Sequence, residues 1–545
     1  MKKGFFIISF LLFVISCKQS FTDIVSQTER AVFHIYSYDE HGVPNGTGTG
    51  FFIDRSGIGI TNHHVIEDAD IAYIKDFEGN VFQIEQVTKV DVEADLAEIK
   101  IKNDDNYRFP RLKLSAKQVL KGQEIFVIGN PETYESTLTT GIISAIRKND
   151  HFEEIQVSAP ISPGSSGSPI MDMKGYVLGV ITSSSSSEKA ENLNFGTSIK
   201  SLSTLKNADD VIANLNSNEK TYLLNQHNSV DHTIVLNSIQ LLDSKTIVNM
   251  TFSNLQLCFD PCAIWTDIGH EKSYYIQDLR TNEKYPLLES SLGSSIDPTL
   301  VGIAETVRYS LTFSSLSSSV DSIALIMEDF DSFTFSSINL MGYKPNLDDA
   351  EIAYSNVTLN YALNDMQDSS YYDAFSRLDY LNDIVEGVTH QSFYTQTQGV
   401  TAFLYGDTIA AKELLQEAVD QNPSSSLAHS NLYYINNSLN LYNEALQHLN
   451  AAITLDPDQI DYRQQRVSLY YNLEEYAKMM DEATYCIETT PTDDWSTPHL
   501  YFDRVIAKIY LNLSPCDDML EAYNHQDAPE WIIEEVEQYY SQYCD

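Results

Sequence analysis

Ile161-Ser162-Pro163-Gly164-Ser165-Ser166-Gly167-Ser168-Pro169 runs between two apolar alternating segments, Ile155 to Ile161 and Tyr176 to Ile181. Alternation on both sides predicts strands. A Gly-Ser-Ser-Gly-Ser turn between them adds little to a core. Its glycines let the backbone take φ > 0 and turn N–H groups to one side. Such N–H groups form an anion-binding concavity, and a serine hydroxyl at its mouth is a nucleophile beside an oxyanion hole. Taken alone, the same residues read better as a Ser/Gly-rich hairpin loop.

Two upstream segments change that balance. Thr61-Asn62-His63-His64-Val65-Ile66 follows Gly46-Thr47-Gly48-Thr49-Gly50-Phe51-Phe52-Ile53, a Gly/Thr alternation that runs into an apolar strand. Glu93-Ala94-Asp95-Leu96-Ala97-Glu98-Ile99-Lys100-Ile101 puts a carboxylate at the head of an alternating strand. A serine hydroxyl is a weak nucleophile until a histidine takes its proton, and that histidine needs a carboxylate to fix its tautomer and steady its cation. The three groups occur in the order His, Asp, Ser, the chain order of chymotrypsin-type proteases.

With Ile128-Gly129-Asn130-Pro131 and Thr139-Thr140-Gly141-Ile142-Ile143-Ser144 added, the ordered motifs resemble trypsin-like serine proteases of the HtrA/DegP type. The likeness covers roughly residues 25 to 205. It implies an all-β, chymotrypsin-like double barrel with His64 as general base, Asp95 as its orienter and Ser166 as nucleophile. The N–H groups of Gly164 and Ser166 would form the oxyanion hole. His63 is the rival base; the pattern puts the catalytic histidine directly before the valine, which selects His64. Substrate would add as a strand along Thr182-Ser183-Ser184. The base of the specificity pocket would fall at Pro160, between Ala159 and Ile161, where no carboxylate stands. Cleavage after Lys or Arg is therefore not expected, and small or medium apolar side chains are favoured. The resemblance implies protein or peptide substrates, a homo-oligomer, and neither cofactor nor metal. The PDZ domain usual in such enzymes has no counterpart in the pattern that follows.

A chain of 545 residues suggests several domains. Lys+Arg number 34 against 77 Asp+Glu, a net charge of −43, which repels phosphate backbones and argues against nucleic acid as a partner. Met1-Lys2-Lys3-Gly4 is a basic start, and Phe5 to Ile15 is an apolar run of 11 residues, too short for a span of about 20. Residues 1–17 therefore read as a signal peptide ending in a lipoprotein box, with Cys17 as the lipid-bearing residue. That reading expects an envelope protein, lipid-anchored in the membrane and facing the periplasm. Lys18 after the cysteine favours the outer membrane.

Of the six cysteines, Cys516 and Cys544 are candidates for a disulfide in such an oxidising compartment. Cys258 and Cys262 flank Phe-Asp-Pro and are candidates to pair across a turn. Cys486 falls on an expected core face. No second pair has zinc spacing, so no metal site is expected.

Residues 18–205 form the expected protease domain and 206–230 a linker. Residues 231–345 show strand alternation and are expected to form an antiparallel β-sandwich. From 346 to 545 the period turns helical. Pro423, Pro457 and Pro491 stand 34 residues apart, the tetratricopeptide period. Ala418, Ala452 and Cys486 precede those prolines by five, and Ala411, Ala445 and Met479 by twelve. Small residues there let paired helices approach closely, the third repeat departing with Cys and Met, and stacked repeats would bind protein partners. Two functions stay open: a serine endopeptidase with a helical interaction arm, or a non-catalytic scaffold in which the repeats do the work.

Overall fold

The computed structural model describes residues 20–544 except 104–106, 131–135, 149–150, 163, 185–193, 209–219, 229–232, 258–261, 267, 270–272, 295–296, 318–319, 328–333, 341–349, 385–390, 458 and 491–495. The expected signal peptide, Cys17 and Cys258 lie outside the described residues. Two compact units are present: residues 1–40, 44–214 and 347–354, and residues 41–43, 215–346 and 355–545.

The first unit opens with α1 (Phe21–Thr28), capped by reciprocal bonds between Ser20 and Asp23. Then come β1 (Val32–Tyr38), β2 (Pro44–Phe52), β3 (Ile58–Thr61), β4 (Ile71–Asp76), β5 (Val81–Asp91) and β6 (Leu96–Ile101). They pair in the order β5-β4-β1-β2-β3-β6, and β5 also pairs with β6, so the sheet closes into a six-stranded barrel. The second half carries β7 (Lys113–Leu114), β8 (Glu124–Gly129), β9 (Thr137–Lys148), β10 (Glu153–Val157), β11 (Pro169–Asp172), β12 (Tyr176–Ser184) and β13 (Asn194–Ser198). The order β11-β8-β9-β10-β13-β12 closes through β11–β12 into a second six-stranded barrel, with β7 added parallel to β12. A last short strand, β14 (Lys206–Asn207), returns to β5. This is the expected chymotrypsin-like double barrel.

Phe33, Phe52, Ile74 and Ile99 fill the first barrel, and Ile143, Ile155, Ile170 and Leu178 the second. A third cluster takes Phe51, Ile60 and Leu96 from one barrel and Phe126, Met171 and Val180 from the other, joining the two. The Gly/Thr alternation is itself strand: β2 begins at Pro44, ahead of the apolar segment into which the alternation runs. Its glycines admit close neighbours, since a Cβ on Gly50 would stand 2.3 Å from the Phe33 ring. The sequence also hid β13. Asn-Phe-Gly-Thr-Ser has little apolar alternation and is a strand because β10 and β12 pair on its two sides.

The second unit begins with β15 (Lys220–His227), inside the stretch expected to be a linker; its apolar Tyr222 and Leu223 sit among polar neighbours that read as loop. With β16 (Ile234–Leu241), β17 (Lys245–Ser253), β18 (Cys262–Ile264), β19 (Tyr274–Asp278), β20 (Lys284–Ser290), β21 (Thr299–Val301), β22 (Thr306–Ser314), β23 (Ser322–Met327) and β24 (Phe335–Asn339) it makes further β-sheet where a β-sandwich was expected. Hydrogen bonding runs through one eight-stranded antiparallel sheet, β15-β16-β17-β22-β20-β19-β23-β24, beside a β18–β21 ribbon. One apolar cluster takes side chains from both ends of that order, Tyr222 on β15 and Ile338 on β24.

Helices follow: α2 (Ala350–Gln367), α3 (Tyr371–Ile384), α4 (Gln391–Tyr405), α5 (Thr408–Gln421), α6 (Ser426–Ser438), α7 (Tyr442–Leu455), α8 (Ile460–Asn472), α9 (Tyr476–Thr489), α10 (Thr497–Tyr510), α11 (Cys516–Asn524) and α12 (Glu530–Tyr543). The helices α5, α7 and α9 start 34 residues apart, at Thr408, Tyr442 and Tyr476. Ala411, Ala418, Ala445, Ala452, Met479 and Cys486 are all buried. A disulfide joins Cys516 to Cys544. Among the described residues no helix is long and apolar enough to cross a membrane.

Candidate active site

Strand β6 begins one residue after Asp95, and β3 ends three residues before His64. The turn that carries Asp95 is left-handed there, with φ 51°, a conformation that Asp tolerates better than most residues. Bonds from both barrels hold it. Asn62 Nδ2 donates to Asp95 O at 2.7 Å and Thr197 Oγ1 to Ala94 O at 2.8 Å. The Asp95 carboxylate then meets His64 twice: His64 N donates to Oδ1 at 3.0 Å, and His64 Nδ1 lies 2.7 Å from Oδ2. An ionised carboxylate can only accept, so Nδ1 carries the proton and Nε2 is left as the acceptor. Burial pulls the His64 pKa down, but the hydrogen bond and charge of Asp95, with the charge of Glu67, outweigh it and leave the pKa raised. The rival His63 pairs elsewhere, its Nδ1 3.1 Å from Glu67 Oε2.

Ser166 stands on the loop between β10 and β11. His64, Asp95 and Ser166 line one cleft of about 490 Å³, together with Glu93, Ala94, Phe152, Glu154, Thr182, Phe195 and Thr197. The hydroxyl of Ser166 donates to Thr182 O at a long 3.4 Å. The loop glycines are left-handed, with φ 83° at Gly164 and 89° at Gly167. Its N–H groups divide into two sets. Ser165 N donates to Ser162 O, Gly167 N to Ile181 O and Ser168 N to Ser165 O. Among the described residues the N–H groups of Gly164 and Ser166 meet no acceptor. Two unclaimed donors flanking a hydroxyl suit an anion that forms on a carbonyl oxygen attacked by that hydroxyl.

Thr182 lines the cleft on β12. Ser183 and Ser184 continue that strand, where they pair with Phe195 and Asn194 of β13. Pairing of β12 with β11 stops at Val180, so among the described residues no strand pairs with the side of β12 turned to the Ser166 loop beyond Ile181. Pro160 is exposed and is not among the residues that line the cleft. The sequence reading passed over Glu93, Phe152, Glu154 and Phe195 on the wall, and the supports Asn62, Thr49 and Thr197. Asn62 lies inside a quoted motif and could have been found there; Thr49 lies inside one too, but nothing in Gly-Thr-Gly-Thr-Gly marks which threonine meets the Ser166 loop, and Phe195 and Thr197 sit on the unforeseen β13. Among the described residues no group of three or more metal-ligating side chains occurs.

Residues 48–180 match the family model described as trypsin-like peptidase domain. Protease Do-like 1, chloroplastic, from Arabidopsis thaliana is 34% identical over 155 residues, which cover 27% of this chain and 35% of that protein. A probable periplasmic serine endoprotease, DegP-like, from Chlamydia trachomatis is 37% identical over 141 residues, covering 25% and 28%. The chain thus spans about a third of the length of these curated relatives. Among solved structures, a serine endoprotease from Yersinia pestis is 27% identical, with a TM-score of 0.30, over 34% of this chain and 64% of that one. Residues 48–180 are therefore similar to the trypsin-like peptidase domain and to HtrA/DegP-type serine proteases.

Proposed function

We propose that the chain is a serine endopeptidase that cleaves protein substrates through an acyl-enzyme on Ser166. The observation that carries this is the 2.7 Å contact of His64 Nδ1 with Asp95 Oδ2 in the cleft that Ser166 also lines. His64 Nε2 takes the Ser166 proton as Oγ attacks the scissile carbonyl, then returns it to the leaving amine; water repeats the cycle on the ester. The Gly164 and Ser166 N–H groups receive the oxyanion. The open side of β12 from Thr182 onward takes the substrate as an added strand, with Ser183 and Ser184 continuing that edge. Pro160 as pocket base remains part of this reading only through the resemblance.

The 34-residue spacing of α5, α7 and α9 and the buried small residues between them favour a tetratricopeptide array that binds protein partners. The basic start, the apolar run and Cys17 favour a lipid-anchored, periplasm-facing protein. A disulfide in the helical region agrees with an oxidising compartment.

A fluorophosphonate probe tests the central point. Wild-type protein is expected to be labelled on Ser166, and Ser166→Ala to keep its fold while losing label and about 10⁶-fold in peptide turnover. Folded wild-type protein that takes no label would favour the scaffold alternative.

A further inference from the structure

We propose that Thr49, on β2 of the first barrel, is a positioning residue that keeps the nucleophile loop of the second barrel in its competent shape. The inference rests on the serine-peptidase reading above and names what holds the oxyanion donors outward.

Thr49 is fully buried, and it grips the loop twice. Its backbone N–H donates to Ser166 O at 2.8 Å. Its hydroxyl lies 2.9 Å from Gly164 O and 3.0 Å from Asn130 N. An amide N–H can only donate, so the hydroxyl oxygen accepts from Asn130, and its single proton is left for the Gly164 carbonyl. Directions along this relay are therefore set by chemistry.

The consequence follows peptide by peptide. In the 164–165 peptide the carbonyl is on the Thr49 hydroxyl and the N–H is on Ser162 O at 3.1 Å. In the 166–167 peptide the carbonyl is on Thr49 N and the N–H is on Ile181 O at 2.9 Å. Both planes are pinned at both ends. Between them, the 165–166 peptide gives its carbonyl to Ser168 N at 3.0 Å, so its N–H, which belongs to Ser166, faces the other way. The fit leaves no slack: Thr61 Oγ1 holds Thr49 O at 2.8 Å, and a Cβ on Gly167 would stand 1.9 Å from that oxygen. Without the hydroxyl, the Gly164 carbonyl loses the bond that sets its peptide plane, and the buried Asn130 N–H loses its acceptor.

The test uses the full chain and separates the hydroxyl from its bulk. Thr49→Val keeps the shape and removes the relay; Thr49→Ser keeps the relay. Folding is checked by thermal melting, and kcat, KM and the rate of fluorophosphonate labelling are measured on a peptide-cleaving preparation. Thr49→Val is expected to lose about 100-fold in kcat and in labelling rate with KM nearly unchanged, because a misplaced donor costs transition-state rather than ground-state binding. Thr49→Ser is expected to stay within about threefold of wild type, the oxyanion donors being kept. Should Thr49→Val not fold, Thr49→Cys retains a polar atom with a weaker donor and is expected to fall between the two. A folded Thr49→Val or Thr49→Cys with wild-type kcat overturns the inference, as does a Thr49→Ser no better than Thr49→Val. Wild-type protein that neither labels nor hydrolyses overturns the peptidase reading itself, and this inference with it.

Discussion

At the Asp95–His64 pair, two hydrogen bonds from one carboxylate do separate jobs. The bond to His64 N places the backbone, and the bond to Nδ1 sets the tautomer. Removing the acceptor for Nδ1 frees the ring to adopt the other tautomer. Asp95→Asn is therefore expected to keep the fold and lose about 10⁴-fold in kcat. The pH profile carries a second sign. In the proposed reaction His64 is the base and works only when neutral, and its pKa is raised, so kcat/KM is expected to fall as pH drops through a value above the usual 6.5 or so for histidine. Glu67→Gln removes one of the charges that raise it and is expected to shift the acid limb to lower pH with little change in the plateau rate. An acid limb that stays put in Glu67→Gln would refute this electrostatic account. That His64 rather than His63 meets Asp95 agrees with its place before Val65, because a motif records which side chain the turn presents. Thr49 was not readable in the same way. Gly-Thr-Gly-Thr-Gly identifies a strand, but which threonine hydroxyl meets the Ser166 loop depends on a contact between barrels that are 115 residues apart in sequence at that bond.

Elements repeat the distinction between local signal and tertiary support. Helices α5, α7 and α9 were readable because prolines and small residues recur with their period. Each is preceded two residues earlier by a left-handed turn residue, Gly406, Asn440 and Glu474, so the turn is kept although only the first is glycine. Strand β13 carried no such mark, and neither did the attachment of the β domain to the helices. That attachment is made by Asn431 on α6, fully buried. Its Nδ2 donates to Leu255 O at 2.8 Å, and its Oδ1 accepts from Leu257 N at 2.9 Å. Leu255, Leu257 and Ala304 then enter the same apolar cluster as Leu415 and Leu432 of the helices. An isolated asparagine in a helix sequence predicts nothing of this kind, since its partners lie more than 170 residues away. Asn431→Ala strips both bonds and leaves two buried backbone groups unpaired. About 2–4 kcal/mol of stability is expected to be lost, read as a lower denaturant midpoint. Asn431→Asp keeps the acceptor for Leu257 and loses the donor to Leu255, so it should also destabilise. Wild-type midpoints in both variants would mean that apolar contact alone holds the junction.

For the whole molecule the charge is as unequal as the folds are. Residues 346–545 hold 34 Asp+Glu and 7 Lys+Arg, and several of those few cations are already engaged: Arg463 and Arg466 with Glu482, and Arg504 and Lys508 with Asp518. The excess carboxylates repel one another across the helical region, so the end of the chain depends on what ties it down. There the core is small, built on Val505, Met519, Ala522, Ile532 and Val536, and α11 has only nine residues. The disulfide between Cys516 and Cys544 closes a separation of 28 residues. By the chain-entropy account a loop of that size stabilises by about 3–4 kcal/mol. His64, Asp95 and Ser166 all belong to the other compact unit, whose described residues hold no disulfide. Calorimetry of the full chain is therefore expected to give separable transitions, one of which falls by about 5–10 °C on reduction. The temperature at which peptide hydrolysis is lost should not move. Paired Cys516→Ala and Cys544→Ala substitutions should reproduce the reduced trace without any reductant. If reduction lowers the hydrolysis midpoint by as much as the helical transition, the two units unfold as one and the disulfide stabilises both.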